Sequence, residues 1–258
     1  MTGVHSRVDD DGVAVVTLDR PQARNALDWA AWESLGEQLA GLDRDDVRAV
    51  VLTGGDRWFS AGGDVTSMGS NPGSGVTAPA ARVRLAHRVV RALTTCRAPV
   101  IAAVEGFAVG AAWGLVLSCD LVVASREAFF AAPFAQRALV ADAGLAWSLS
   151  RHVGHQRAAE LLLLGERLPA DRAHELGLVT RLVAPGEAGE SALALARRLA
   201  AGPADAIALT TSLLRRAPDR TLDGFLDDEH VAVALNGHSP DLAEGRQAFL
   251  EKRPPRFR

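Results

Sequence analysis

Residues 99–120 read PVIAAVEGFAVGAAWGLVLSCD, and this stretch does most to limit what the chain can become. Its first six residues, 99–104, form an apolar, β-branched run with the character of a buried strand. A turn glycine follows. The small-residue segment after it predicts a helix starting at about Gly110. Small residues let the backbone approach a ligand closely, and the start of a helix leaves N–H groups unpaired. Such a place suits an oxygen that gains negative charge, such as a thioester carbonyl becoming an enolate. A tightly packed strand-to-helix turn with no ligand has the same sequence signature.

The remaining elements are read in chain order. Residues 13–18 form a strand closed by Arg20-Pro21, and Asp28 is placed to cap a helix with Leu27, Ala31, Leu35 and Leu39 inward. Residues 47–52 form the next strand, followed by a second glycine-rich turn, FSAGGD, at 59–64. That turn lacks the spacing of a dinucleotide or P-loop fingerprint. The Gly-, Pro- and Ser-rich residues 71–78 predict a mobile loop. Residues 79–95 then form a helix with Val83, Ala86, Val90 and Leu93 toward the core. Its Arg82, Arg84, Arg88 and Arg91 read as a solvated face, with one or two able to reach a ligand phosphate. Strands follow at 120–124 and 128–131, so strand-turn units recur along the chain and suggest a β-β-α plan. Beyond His155, helices at 156–164 and 169–176 precede a last strand at 179–183, a hinge at 185–190 and four helices to residue 253. Apolar faces on that helical tail imply a partner subunit or packing over the core.

Composition narrows the class. With 258 residues, 48% of them hydrophobic, the chain can bury one large core and carry a helical appendage. A formal net charge of −3 gives no global attraction to nucleic acid or an anionic membrane. Cys96 and Cys119 form neither a metal cluster nor a disulfide framework, and read as packed thiols of a reducing compartment. The polar N-terminus and the lack of a long apolar run predict a soluble, cytoplasmic protein.

The ordered motifs resemble the enoyl-CoA hydratase/isomerase, or crotonase, superfamily over nearly the whole chain. Residues 20–27 (RPQARNAL) resemble its opening motif. Residues 47–54 with 59–64 resemble its first oxyanion loop, and 99–110 through Cys119-Asp120 its second. Residues 249–254 (FLEKRP) resemble its closing segment. The resemblance implies an α/β fold: a spiral of β-β-α repeats over residues 1–190, with a C-terminal helical region at 191–258 for trimerisation and CoA contact. It also implies a homotrimer or dimer of trimers that binds a bent acyl-CoA, with no metal and no cofactor beyond the substrate's coenzyme A. Matched position by position, the carbonyl-binding amides fall on Ala61 and Ala111. Loss of one such donor commonly costs about 3–4 kcal/mol of transition-state stabilisation. The CoA end is placed near Arg24 and the loop with Gly62 and Asp64, with Lys252 of a neighbouring subunit toward the phosphate.

Hydratases of this family use two glutamates, whose positions here carry Gly114 and Phe134. Neither moves a proton, and adding water across a double bond needs both an acid and a base. Residues 139–147 (LVADAGLAW) resemble the segment in which certain isomerases carry an aspartate, here Asp142. A lone carboxylate can take a proton from one carbon of an enoyl thioester and return it to another. Burial beside Leu139, Val140, Leu145 and Phe134 would raise its pKa. Asp142 also matches a position where dehalogenating relatives use a nucleophilic aspartate, and it fits equally as the N-cap of a helix from Ala143. Leu145 stands where relatives have a second glycine, which reshapes the acyl pocket. Trp113 and Trp147 either line that pocket or pack in the core. His87, His152 and His155 lack metal-ligand spacing. The expected activity is therefore double-bond isomerisation of an enoyl-CoA. The alternatives are a hydratase, hydrolase or dehalogenase of the same fold, or a silent acyl-CoA-binding subunit.

Overall fold

The computed structural model describes residues 3–67 and 80–257. The loop expected at 71–78, and Pro79 at the expected start of the next helix, lie outside the described residues.

Two sheets organise the chain. Strands β1 (Val4–Val8), β2 (Val13–Leu18), β3 (Ala49–Thr53), β4 (Val100–Val104), β6 (Leu121–Ser125) and β9 (Arg181–Val183) form the larger one, in the order β1-β2-β3-β4-β6-β9. Only the β1–β2 pair in it is antiparallel. Strands β5 (Phe107–Val109), β7 (Phe129–Ala131) and β8 (Arg167–Pro169) form the smaller sheet. β1 was not foreseen, since VHSRV alternates apolar and polar residues and survives as an edge strand.

The spiral follows from what comes after each central strand. After β4 the chain adds β5 and then the helix α3 (Ala111–Val116). After β6 it adds β7 and then α4 (Leu145–Leu164). The two earlier turns use single bridges in place of a second strand. Leu27 pairs with Gly63 between β2 and α1 (Trp29–Ala40), and Ser60 pairs with Ala108 between β3 and α2 (Ala81–Thr95). The turns at 60–64 and 107–111 therefore stack beside each other.

Both faces of the central strands are covered, so they read as continuous apolar runs with no alternation. Ala14, Val16, Val50, Leu52, Val100, Ala102 and Val122 meet α1, α2 and α3 on one face. Val13, Val15, Ala49, Val51, Ile101 and Val123 meet α6 (Ala188–Ala200) on the other. In α1, Asp28 accepts the Ala31 N–H at 2.9 Å as the N-cap, and Ala31, Leu35 and Leu39 are buried as their spacing requires. Truncating fully buried Leu35 to alanine would cost about 2–5 kcal/mol.

Three expectations change on folding. In α2, Ala86 and Leu93 face inward as expected, but the other inner positions belong to Arg82 and Val89, with Val83 and Val90 half-buried. The helix expected from residue 156 is the second half of α4, which continues through a break at Gly154 (φ 75°, ψ 167°). The region expected as a hinge already enters α6, whose first amide donates to buried Glu105 at 2.9 Å. The layer over the sheet thus runs to Ala200, past the division expected at residue 190, and the helices leaving it are α7 (Ala204–Arg216), α8 (Leu222–Asn236) and α9 (Pro240–Glu251). Leu222, Leu226, Val231 and Val233 of α8 and Phe249 and Leu250 of α9 stand exposed, Phe249 at 83%. A short α5 (Ala170–Glu175) links β8 to β9. No helix among the described residues is long and apolar enough to cross a membrane.

Candidate active site

The first glycine turn is held by Asn25. Its side-chain amide donates to the carbonyls of Gly54, Trp58 and Phe59, the first at 2.8 Å, and its Oδ1 accepts the Arg20 N–H at 2.9 Å. To reach them the chain takes left-handed backbone at Arg24 (φ 52°) and Asn25 (φ 57°), a conformation Asn tolerates and Arg does not favour. That twist aims the Arg24 carbonyl at the turn, where it accepts the Ala61 N–H at 3.0 Å.

The neighbouring amides are also accounted for. Gly62 N–H goes to the Ser60 hydroxyl at 3.0 Å, and Asp64 N–H goes to the Leu27 carbonyl at 2.9 Å. The Gly63 N–H has no acceptor among the described residues. The sequence match pointed to Ala61 as the carbonyl-binding amide, but that N–H is engaged with Arg24, and the turn's unengaged donor is two residues on. Nothing in the local sequence marks this, because the distinction depends on the turn's bonding to residues 24–27.

Gly62 must be glycine. Its φ is +89°, and a Cβ there would meet the Val109 carbonyl oxygen at 2.4 Å and the Ala111 nitrogen at 3.4 Å. The first turn thus packs directly on the second. There, Gly110 (φ 60°, ψ −125°) turns the chain from β5 into α3, its own N–H held by the Ala131 carbonyl at 2.8 Å. Ala111 follows as the first helical residue, and its N–H has no acceptor among the described residues. The Phe134 ring lies over this corner, 3.6 Å from where a Gly110 Cβ would be.

The loop that carries Asp142 packs on α3. A Cβ on Gly114 would meet the Ala143 carbonyl oxygen at 2.5 Å, so the loop carrying Asp142 fits against a residue with no side chain. The expected capping role is not taken up: α4 starts from Gly144 (φ 70°) with no side-chain cap, and only the main-chain carbonyl of Asp142 is used, by Leu145 N–H at 3.0 Å. The carboxylate Oδ1 is buried with no hydrogen-bond partner among the described residues. Desolvation raises the Asp142 pKa, opposed by the charges of Arg82 and then His87 on α2. Arg82, read from sequence as part of a solvated face, is 9% exposed and donates to the Asp64 carbonyl at 3.0 Å.

The other expected contacts are distributed differently. Asp64 has its carboxylate taken by the Thr66 N–H and hydroxyl, at 3.0 and 2.6 Å, with Arg20 at 3.5 Å. Those Thr66 hydrogen bonds, with Arg20's help, outweigh desolvation and lower its pKa, so it braces the turn. Trp113 is fully buried against Phe130, with ring centroids 5.7 Å apart, and so sits in the core, its Nε1 without a partner among the described residues. Trp147 is 53% exposed, with the Arg151 guanidinium 4.3 Å from its ring centroid. Arg24 and Lys252 have exposed side chains, Lys252 at the end of α9.

Two adjoining turns with spare main-chain donors, and a desolvated carboxylate on the loop packed against α3, are groups suited to polarising a carbonyl next to a carbon acid. The chain belongs to the enoyl-CoA hydratase/isomerase family, whose model matches residues 9–258, and it has that family's crotonase fold. It is 38% identical over 254 residues to 1,2-epoxyphenylacetyl-CoA isomerase of Escherichia coli, covering 96% of this chain and 95% of that protein. It is 32% identical over 244 residues to 4-chlorobenzoyl coenzyme A dehalogenase-1 of an Arthrobacter species, covering 94% and 88%. The solved enoyl-CoA hydratase of Polaromonas sp. JS666 superposes with a TM-score of 0.93 at 35% identity, over 99% of both chains. Members of the family act on acyl-CoA thioesters, and this chain is an enzyme of that family.

Proposed function

We propose that the chain isomerises an enoyl-CoA, using Asp142 as the single proton carrier. The observation that carries this reading is the buried Oδ1 of Asp142, unpartnered among the described residues, together with Gly114 and Phe134 at the glutamate positions. The N–H groups of Gly63 and Ala111 hold the thioester oxygen. Asp142 removes a proton from the carbon between that carbonyl and a β,γ double bond. The electron pair moves onto the thioester oxygen as a dienolate, and the same proton returns to the γ-carbon, leaving the α,β-enoyl thioester. Desolvation strengthens the carboxylate as a base. The only coenzyme required is the coenzyme A of the substrate, with Arg24 and, from a neighbouring subunit, Lys252 toward its nucleotide end.

The exposed apolar rows of α8 and α9 support assembly as a trimer or a pair of trimers. The deciding experiment follows α-proton exchange in deuterated water and product mass over a panel of enoyl-CoA esters. Isomerisation leaves the mass of the acyl group unchanged apart from deuterium. Water gained, thioester lost or halide released would assign one of the sister chemistries instead. Asp142→Asn retaining full turnover would end the role given to Asp142.

A further inference from the structure

Among the charged side chains of α2, only Arg82 is taken into the interior; Arg84, His87, Arg88 and Arg91 remain exposed. Burying a guanidinium is costly unless its surroundings compensate it. Here its Nη1 donates to the Asp64 carbonyl at 3.0 Å. Its plane also lies along Gly63, where a Cβ would stand 3.4 Å from Cζ and from both Nη atoms. A methyl group on residue 63 would just touch the guanidinium, so the fork lies close against the turn. The arginine's charge acts on the Asp142 carboxylate, whose buried Oδ1 has no hydrogen-bond partner among the described residues.

We propose that Arg82 is a positioning residue of this active site, which holds the Gly63 turn in place and supplies the positive charge that faces the Asp142 carboxylate. The inference rests on Asp142 as the base. A planar, permanently charged fork suits both tasks, since it can lie flat on a glycine while directing N–H groups at a carbonyl; a lysine offers the charge without the plane. From α2, His87 is the other ionisable group that faces Asp142. Helix α3 has no ionisable side chain. The first in α4 is Arg151, engaged by Trp147 and by Asp219 at 2.9 Å. Arg137, before α4, turns back to the Pro133 carbonyl at 3.3 Å. Of these groups, Arg82 is the one that acts on the carboxylate and is also bonded to the turn.

The test is titration of the Asp142 carboxyl by isotope-edited NMR in the full-length protein, with Asp142→Asn assigning the resonance. Arg82→Met is expected to move the Asp142 midpoint upward, and the acid limb of the kcat profile with it. The loss is about tenfold on the acid side for each unit moved, and it shrinks as pH rises. Arg82→Lys restores the midpoint but keeps a raised KM, because the flat contact with Gly63 is lost. An unchanged Asp142 midpoint in folded Arg82→Met, or an activity loss equal at every pH, would overturn the proposal. Should Arg82→Met not fold, Arg82→Gln removes the same charge and the same titration decides. The carboxyl titration needs no substrate. It therefore judges Arg82 separately from the turnover experiments that judge the isomerase reading.

Discussion

The carbonyl oxygen of Ala143 lies 2.5 Å from the point where a Cβ on Gly114 would be, so the Asp142 loop fills the room a side chain at position 114 needs. The position that matches a hydratase glutamate is therefore closed by neighbouring backbone, and restoring the glutamate does not restore the chemistry. The space has been given over to the segment that bears the other carboxylate.

Gly114→Glu is accordingly expected to destabilise the protein without adding water to any enoyl-CoA. Overpacking a filled interior typically costs about 1–3 kcal/mol, and here the obstacle is main chain, which cannot rotate aside. Chemical denaturation gives the stability change, and product mass gives the chemistry. Hydration by this variant at a rate above background would mean that the loop moves aside easily.

Asp142→Asn should separate activity from stability. Desolvation raises the Asp142 pKa above its ordinary value of 3.8, so the folded state holds this proton more tightly than the unfolded chain. Between the unfolded and folded pKa values the native state carries the extra proton, and stability falls as pH rises through that window. The penalty is complete above the folded pKa and absent below 3.8. The neutral amide should therefore melt higher than wild type near neutral pH, with the gap closing in acid, while proton-transfer activity falls by about a hundred- to ten-thousandfold. Melting curves across pH check the first part. A variant that melts lower at every pH would show that the charged carboxylate stabilises the fold.

The central strands, the capped first helix and the order of the two glycine turns were legible in the sequence, because burial on two faces and a capping Asp28 leave local marks. What escaped was set by long-range hydrogen bonding. Ala61 and Gly63 look alike as donors until the Arg24 carbonyl, aimed by two left-handed residues, takes one of them. Arg82 sits in a helix with four charged neighbours of its own kind or similar, and periodicity alone assigns it to water. The Asp64 carbonyl, which accepts from it at 3.0 Å, explains why it turns inward. Asp142 was ambiguous for a different reason. A cap and a base share the same sequence, and the geometry at Gly144 separates them.

The apolar rows on α8 and α9 predict that the isolated chain is not the working unit. Phe249→Glu places a charge on a side chain that is 83% exposed, where the fold of one subunit has little stake. Light scattering should find wild type as a trimer or hexamer and the variant shifted toward monomer, with each subunit's circular dichroism preserved. An unchanged mass would place the assembly surface elsewhere.

The choice between Ala61 and Gly63 can be made by exchanging single main-chain amides for esters, which removes the N–H and leaves the side chain alone. At Ala61 the lost partner is the Arg24 carbonyl at 3.0 Å, a bond within the fold. That ester should cost about 1 kcal/mol of stability and leave kcat nearly unchanged. At Gly63 there is no bond within the described residues to lose. There the ester should leave stability close to wild type and lower kcat by about a hundred- to a thousandfold, as removal of an oxyanion donor does. The ester at Ala111 makes the matching change on the second turn, where the N–H likewise has no acceptor among the described residues. A large kcat loss for the Ala61 ester, with Gly63 silent, would mean that substrate binding displaces the Arg24 carbonyl and returns the donor to residue 61.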